Sequence, residues 1–276
     1  MSKRENISSL RKYNTQPGKS TTVTTSLNRA TVILTCLSND INTVTDIASY
    51  SKFSTSTVHR LLQSLKELNW AIQDENNHRY YLGPLVTQFS SNRTAAHRYL
   101  VMQALREMIR LSDITEETVN LAIMVRLHYM LLHEIPSQHD LRITAESKRL
   151  GPLYIGATAK VLLSQLDDEE LKTTLKHIEF TYVTPNTVTD KDLLMEQLME
   201  IRRQGYCVTF GERIPGAVCI SAPIKHYLSP ASLSIVGLED RLGPRVEEVI
   251  KELKASAGYI SRDIARAFDE KGVVNG

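Results

Sequence analysis

Three cysteines, Cys36, Cys207 and Cys219, are all the chain has, with no CxxC pair among them. That excludes a disulfide framework and a cysteine-based zinc site, and leaves each thiol as a small buried hydrophobe. No long apolar run is present either. The best candidate, around residues 119–132, is broken by Arg126 and His128 and falls short of the roughly 20 uncharged residues that span a bilayer. The basic N-terminus is followed by no apolar stretch of signal-peptide length, so the sequence predicts a cytoplasmic protein with no membrane partner. The catalytic motifs are missing too. No P-loop, GxGxxG or GxSxG lies in a strand–turn–helix context, and His133-Glu134 with His139 lacks the spacing that puts two histidines on one helical face. An enzyme is therefore not expected, and neither is a metal or a cofactor.

What is there is unevenly distributed. A net charge of +2 hides a basic first part: residues 1–100 carry 12 Lys and Arg against 6 Asp and Glu, and the remainder 21 against 25. A polyanion partner for the first part alone would explain this, although a solvated basic surface would too. With 276 residues, two modest domains are expected.

Residues 1–24 are rich in Ser, Thr, Asn and Lys and read as a flexible basic arm carrying Lys3, Arg4, Arg11, Lys12 and Lys19. Periodicity starts at Leu27, with Ala30, Ile33, Leu34 and Leu37 on the same helical stripe. Thr43 and Asp46 form a capping pattern for a short helix, and Ser54 can cap a longer one with Val58, Leu61, Leu62, Leu65 and Leu68 inward. Residues 70–72 and 79–82 then flank an Asp/Asn-rich turn, predicting a hairpin. Helix, helix, turn, helix and hairpin is the order of a winged helix-turn-helix over residues 25–85.

With the apolar face of the third helix inward, Ser56, His59, Arg60 and Gln63 project outward. Arg and Gln can bond base edges bidentately, and short hydroxyls let a helix sit deep in a major groove. Thr55, Thr57 and the helix start suit phosphate, Lys66 adds attraction, and His78 and Arg79 in the hairpin can reach an adjacent groove or backbone. A solvated polar face, or Arg60 bracing the domain through a carboxylate, fits the same residues.

Beyond Gly83-Pro84, residues 86–98 read as a linker helix, and residues 99–276 as a domain of antiparallel strands with inserted helices. Strands are expected over 117–124, 129–134, 205–211, 218–224 and 231–238. Helices are expected over 157–165, 168–178, 190–204 and 244–268.

A series of blocks in order carries a resemblance. STVHRLL at 56–62 with Leu65, LNWAI at 68–72 and YYLG at 80–83 resemble the DNA-binding domain of the isocitrate lyase regulator (IclR) family. ETVNLA at 117–122, PLYIGATAK at 152–160 and QGY at 204–206 through Gly211-Glu212 and Gly216 to ISAP at 220–223 resemble its second domain. The resemblance covers about residues 25–270. It implies an α+β protein: an N-terminal winged helix-turn-helix joined by a linker helix to a C-terminal GAF-like effector domain, assembled as homodimers or homotetramers on pseudo-palindromic double-stranded DNA. The family's effector positions fall on Gly156, Ala157, Thr209, Cys219, Ser234 and Val236.

Five positions depart from the family pattern. Lys52 and Asn69 stand where glycine is usual, and Ala159 replaces the glycine before the helix lysine, which is expected to narrow the pocket. The acid usual at Thr209 and the hydroxyl usual at Val236 are absent, so the effector's identity does not carry over. Free amides at Gly156-Ala157 suggest a carboxylate bound at a helix start, giving a small organic acid or hydroxylated aromatic as effector. Two other classes fit the residues: a cysteine- or metal-dependent hydrolase fused to a DNA-binding module, and a winged helix that binds a protein partner.

Overall fold

The computed structural model describes residues 26–91, 93–144 and 150–270. The predicted arm lies outside them. The chain divides into two compact units, one ending at Ala96 and the other beginning at His97.

The first unit packs α1 (Ser26–Ser38), α2 (Val44–Ser51) and α3 (Thr55–Glu67) around Ile33, Cys36, Ile47, Val58 and Leu62. The capping signals act as their chemistry dictates. Thr43 Oγ1 accepts the Asp46 N–H at 3.1 Å, and Ser54 Oγ accepts that of Thr57 at 3.3 Å. Lys52 and Asn69 both have positive φ, +61° and +59°, so these side chains accept the left-handed turns that the family usually gives to glycine. The stripe was read one residue too generously at each end, because Leu27 and Leu68 are exposed. Ala71–Gln73 (β1) and Tyr80–Leu82 (β2) form the antiparallel wing. Gly83 closes it with Asn69 O only 2.2 Å from where a Cβ would stand. The segment after it, expected as a linker helix leading into the first helix of the second domain, consists of α4 (Pro84–Ser91), the short α5 (Arg93–Ala96) and, in the second unit, α6 (Arg98–Thr115). Within the first unit, Trp70 meets Phe89 of α4 edge-on at 5.3 Å.

The second unit is a six-stranded antiparallel sheet in the order β5-β4-β3-β8-β7-β6. Its strands are β3 (Thr118–Val125), β4 (His128–Ile135), β5 (Leu150–Pro152), β6 (Cys207–Phe210), β7 (Ala217–Ile224) and β8 (Ala231–Leu238). The edge strand β5 was not expected, since three residues containing Gly and Pro carry no alternation. Pro244 was expected to open the last helix. It lies instead in a 3-10 turn after α10 (Glu239–Leu242), and the long helix α11 (Val246–Glu270) starts two residues later.

One face of the sheet packs on α6 and α11 through Leu100, Met108, Leu121, Leu233, Leu253 and Ile260. Arg110 ties the two helices, donating to Glu252 at 2.7 Å and Ser256 at 2.8 Å. The other face carries α7 (Gly156–Leu163), α8 (Asp168–His177) and α9 (Lys191–Gln204), with Leu131, Ile155, Leu162 and Leu198 in its core. A cavity lies on this second face.

Candidate functional site

On α3, burial of Val58, Leu62 and Leu65 turns Thr55, Ser56, His59 and Arg60 to solvent. Thr57, Gln63 and Lys66 are half-buried. Among the described residues Arg60 makes no ion pair, so the bracing alternative has no carboxylate to use. Lys66 is tied to the wing, its ammonium donating to Gln73 Oε1 at 3.1 Å. The wing tip is preorganised by Asp74, which accepts from the Asn76 N–H at 2.9 Å and the Asn77 amide at 2.7 Å. That arrangement leaves His78, at φ +57°, and Arg79 exposed.

In the second unit a cavity of about 490 Å³ opens beside the start of α7. This is within the range of about 300–1,000 Å³ usual for small-molecule sites. Gly156, Ala157, Thr209, Cys219 and Val236 all line it. Gly156 has φ +83°, and a Cβ there would meet nothing within 4 Å, so the backbone itself forms the wall. Ser234 lies behind the wall. Its hydroxyl is 2.8 Å from Thr158 Oγ1 and donates to Ser221 Oγ at 2.8 Å, while Ser221 donates to Leu233 O at 3.3 Å. Each hydroxyl has one proton, so the relay runs one way and Thr158 must donate to Ser234. Thr158 itself lines the cavity and presents acceptor lone pairs to it. Ala159 is fully buried in the helical core and does not narrow the cavity.

The amides at the head of α7 are not free. Gly156 N–H donates to Glu212 Oε2 at 2.9 Å and Ala157 N–H to Thr209 Oγ1 at 3.1 Å. The other Glu212 oxygen accepts from Lys160 Nζ, which also donates to Gln197 Oε1 at 2.8 Å. Both members of this ion pair are buried. The loop bearing Glu212 is clamped from outside, with Thr184 and Thr187 hydroxyls donating to Glu212 O at 3.0 and 2.9 Å. A carboxylate of the protein thus occupies the anion position at this helix start.

Sequence reasoning missed Asn120, Tyr129, Thr158, Glu212 and Arg213, all on the cavity wall. One signal was available for the ion pair: Lys160 is the lone charge in the apolar helix GATAKVLL and so demands a buried partner.

The thiols do not resemble nucleophiles. Burial pushes Cys36 up to about 11 and Cys207 up to about 12. It also raises Cys219, although its contacts with the Thr158 side chain and backbone oppose this. Among the described residues no cluster of three His, Cys, Asp or Glu could hold a metal ion, and no helix is long and apolar enough to cross a membrane.

Comparison with known proteins accounts for both units. The IclR helix-turn-helix domain model matches residues 26–75, and the model of the bacterial transcriptional regulator IclR C-terminal domain matches residues 93–262. The transcriptional regulator KdgR of Escherichia coli K12 is 31% identical over 221 residues, 79% of this chain and 84% of KdgR. The crystal structure of Thermotoga maritima IclR is 25% identical with a TM-score of 0.58, covering 87% of this chain and 98% of that one. An IclR homologue from Microbacterium hydrocarbonoxydans, solved with 4-hydroxybenzoate, shares the fold at 23% identity and a TM-score of 0.56, covering 87% and 99%. The chain belongs to the IclR family of ligand-responsive, DNA-binding transcriptional regulators.

Proposed function

We propose that this regulator controls a catabolic operon in response to a small organic acid, binding pseudo-palindromic DNA as a homodimer or homotetramer in the cytoplasm. The observation that carries the sensing half is the convergence of Gly156, Ala157, Thr209, Cys219 and Val236, from one helix and three strands, on one cavity of about 490 Å³. The Microbacterium relative was solved with an aromatic hydroxy acid, which supports the ligand class. No catalytic role is assigned: Cys219 has a raised pKa and touches Thr158, not a base.

In the reading half, Ser56, Arg60 and Gln63 face base edges, Thr55, Thr57, His59 and Lys66 face the backbone, and His78 and Arg79 reach the neighbouring groove. Loss of one bidentate base contact costs about 1–3 kcal/mol and relaxes preference at one position, whereas loss of a phosphate contact weakens all sequences alike. Site selection from random DNA with Arg60→Ala is expected to blur one position of each half-site. An unchanged motif at unchanged affinity would give Arg60 no part in readout.

A further inference from the structure

The expected mode of effector binding places a carboxylate on the amides of Gly156 and Ala157. Glu212 and Thr209 already hold those amides, and Glu212 in turn is held by Lys160. An incoming acid would have to displace a buried, ion-paired carboxylate to reach them, which is costly because both charges would lose their partners.

The same wall offers another cation. Arg213 follows Glu212 on the clamped loop and lines the cavity. Among the described residues it makes no hydrogen bond and no ion pair. Its guanidinium stands 5.5 Å from the centre of the Tyr129 ring, another wall residue, so one of its faces is covered by an aromatic surface. Burial lowers its pKa, the direction expected of a cation removed from water without a counter-ion. Asn120 lines the same cavity, is only 8% exposed, and has a buried Oδ1 with no hydrogen-bond partner. An orphaned buried acceptor costs free energy until a donor meets it. Thr158 Oγ1, its proton spent on Ser234, adds a second acceptor to the same wall.

Resting on the sensing role proposed above, we infer that the cavity receives a hydroxylated carboxylate in the reverse sense to that expected, with the carboxylate on Arg213 and a hydroxyl proton on Asn120 Oδ1. The Tyr129 ring covers the body of the ligand. Glu212 and Thr209 remain in place as fixed parts of the wall. A planar fork of donors matches a carboxylate bidentately, and an orphaned amide oxygen favours a ligand that brings it a donor. Amines are excluded by the guanidinium. Deoxy acids are tolerated at the first site and lose the second.

The test is titration calorimetry on the full chain with two matched trios: 4-hydroxybenzoate, benzoate and 4-hydroxybenzamide; gluconate, hexanoate and gluconamide. The hydroxy acid of at least one trio is expected to bind about tenfold or more tighter than its amide and its deoxy acid, the scale of one charged or buried hydrogen bond. Arg213→Gln should erase the preference for acid over amide, and Asn120→Ala the preference for hydroxylated over deoxy acid. The wild-type acid–amide comparison decides the first point even if a variant fails to fold. Three results would overturn the inference: amides binding as well as acids, acid preference surviving Arg213→Gln in a folded protein, or no hydroxy acid binding at millimolar concentration. An amide that binds and shifts operator affinity would remove this assignment and leave the sensing role standing. If the sensing role itself fails, hydroxy acids bind but operator affinity does not respond.

Discussion

Replacing Glu212 by alanine is expected to destabilise the second unit by about 3–5 kcal/mol, the cost of leaving one partner of a buried ion pair uncompensated. Lys160 is 1% exposed, and without Glu212 only Gln197 would remain to meet its ammonium. The Gly156 N–H loses its acceptor in the same step. For a unit of this size the loss corresponds to a fall in melting temperature on the order of 10 °C. The loss belongs to the unpaired charge, not to the attraction itself. The double replacement of Lys160 by Met and Glu212 by Leu is therefore expected to recover most of it, because a well-packed apolar pair often equals a buried ion pair. Chemical denaturation of the single and double variants measures the coupling directly. A loss below about 1 kcal/mol in the single variant would mean that the pair is solvated, as an exposed pair would be.

The second large effect concerns DNA. Lys52, Arg60, Lys66 and Arg79 are the cations that α3, its preceding turn and the wing offer among the described residues. With Arg60 on base edges, two copies on one operator bring about six phosphate-facing charges, so the logarithm of affinity is expected to fall with the logarithm of salt at a slope of roughly −5. Between 50 and 200 mM salt that is a loss of about three powers of ten, at the lower end of the span of roughly 10³–10⁵ for six to ten phosphate contacts. Fluorescence anisotropy at several salt concentrations measures the slope. A value shallower than about −2 would favour the reading in which the winged helix contacts a protein partner.

Much of this was legible in the sequence, for identifiable reasons. Periodicity marked α1, α2 and α3, because each buries one stripe against the others. The caps at Thr43 and Ser54 showed because short hydroxyls at helix starts have one main use. Four β-strands of the larger sheet, β3, β4, β7 and β8, were placed to within a residue at each end, since each is eight residues long. β5 was invisible because its pairing with β4 is tertiary and Leu150-Gly-Pro152 has no pattern of its own.

The cavity was half legible. Gly156, Ala157, Thr209, Cys219 and Val236 followed from resemblance, but their hydrogen-bond state did not. Whether an amide is free depends on Glu212, more than fifty residues away in sequence. Arg213 looked like one surface charge among many. Only its placement against Tyr129, without a carboxylate, distinguishes it. The bonds of Ser234, expected at the ligand, were likewise invisible in the sequence: its hydroxyl meets Thr158 and Ser221.

The central claim is that occupancy of this cavity governs DNA binding, and it is tested most directly by operator affinity as a function of ligand. The DNA upstream of the protein's own gene is titrated with wild type and with Val236→Phe, in the presence and absence of gluconate and of 4-hydroxybenzoate. Val236 is a suitable site because it lines the cavity on β8 without the positive φ that would strain a substitution at Gly156. At least one acid is expected to shift wild-type affinity by about 5–150-fold, the usual size of coupling between two sites. The folded Val236→Phe protein, its cavity filled, should bind DNA as the free wild type does and show no shift. A wild type that ignores both acids, or a folded variant that responds as strongly as wild type, would contradict the account.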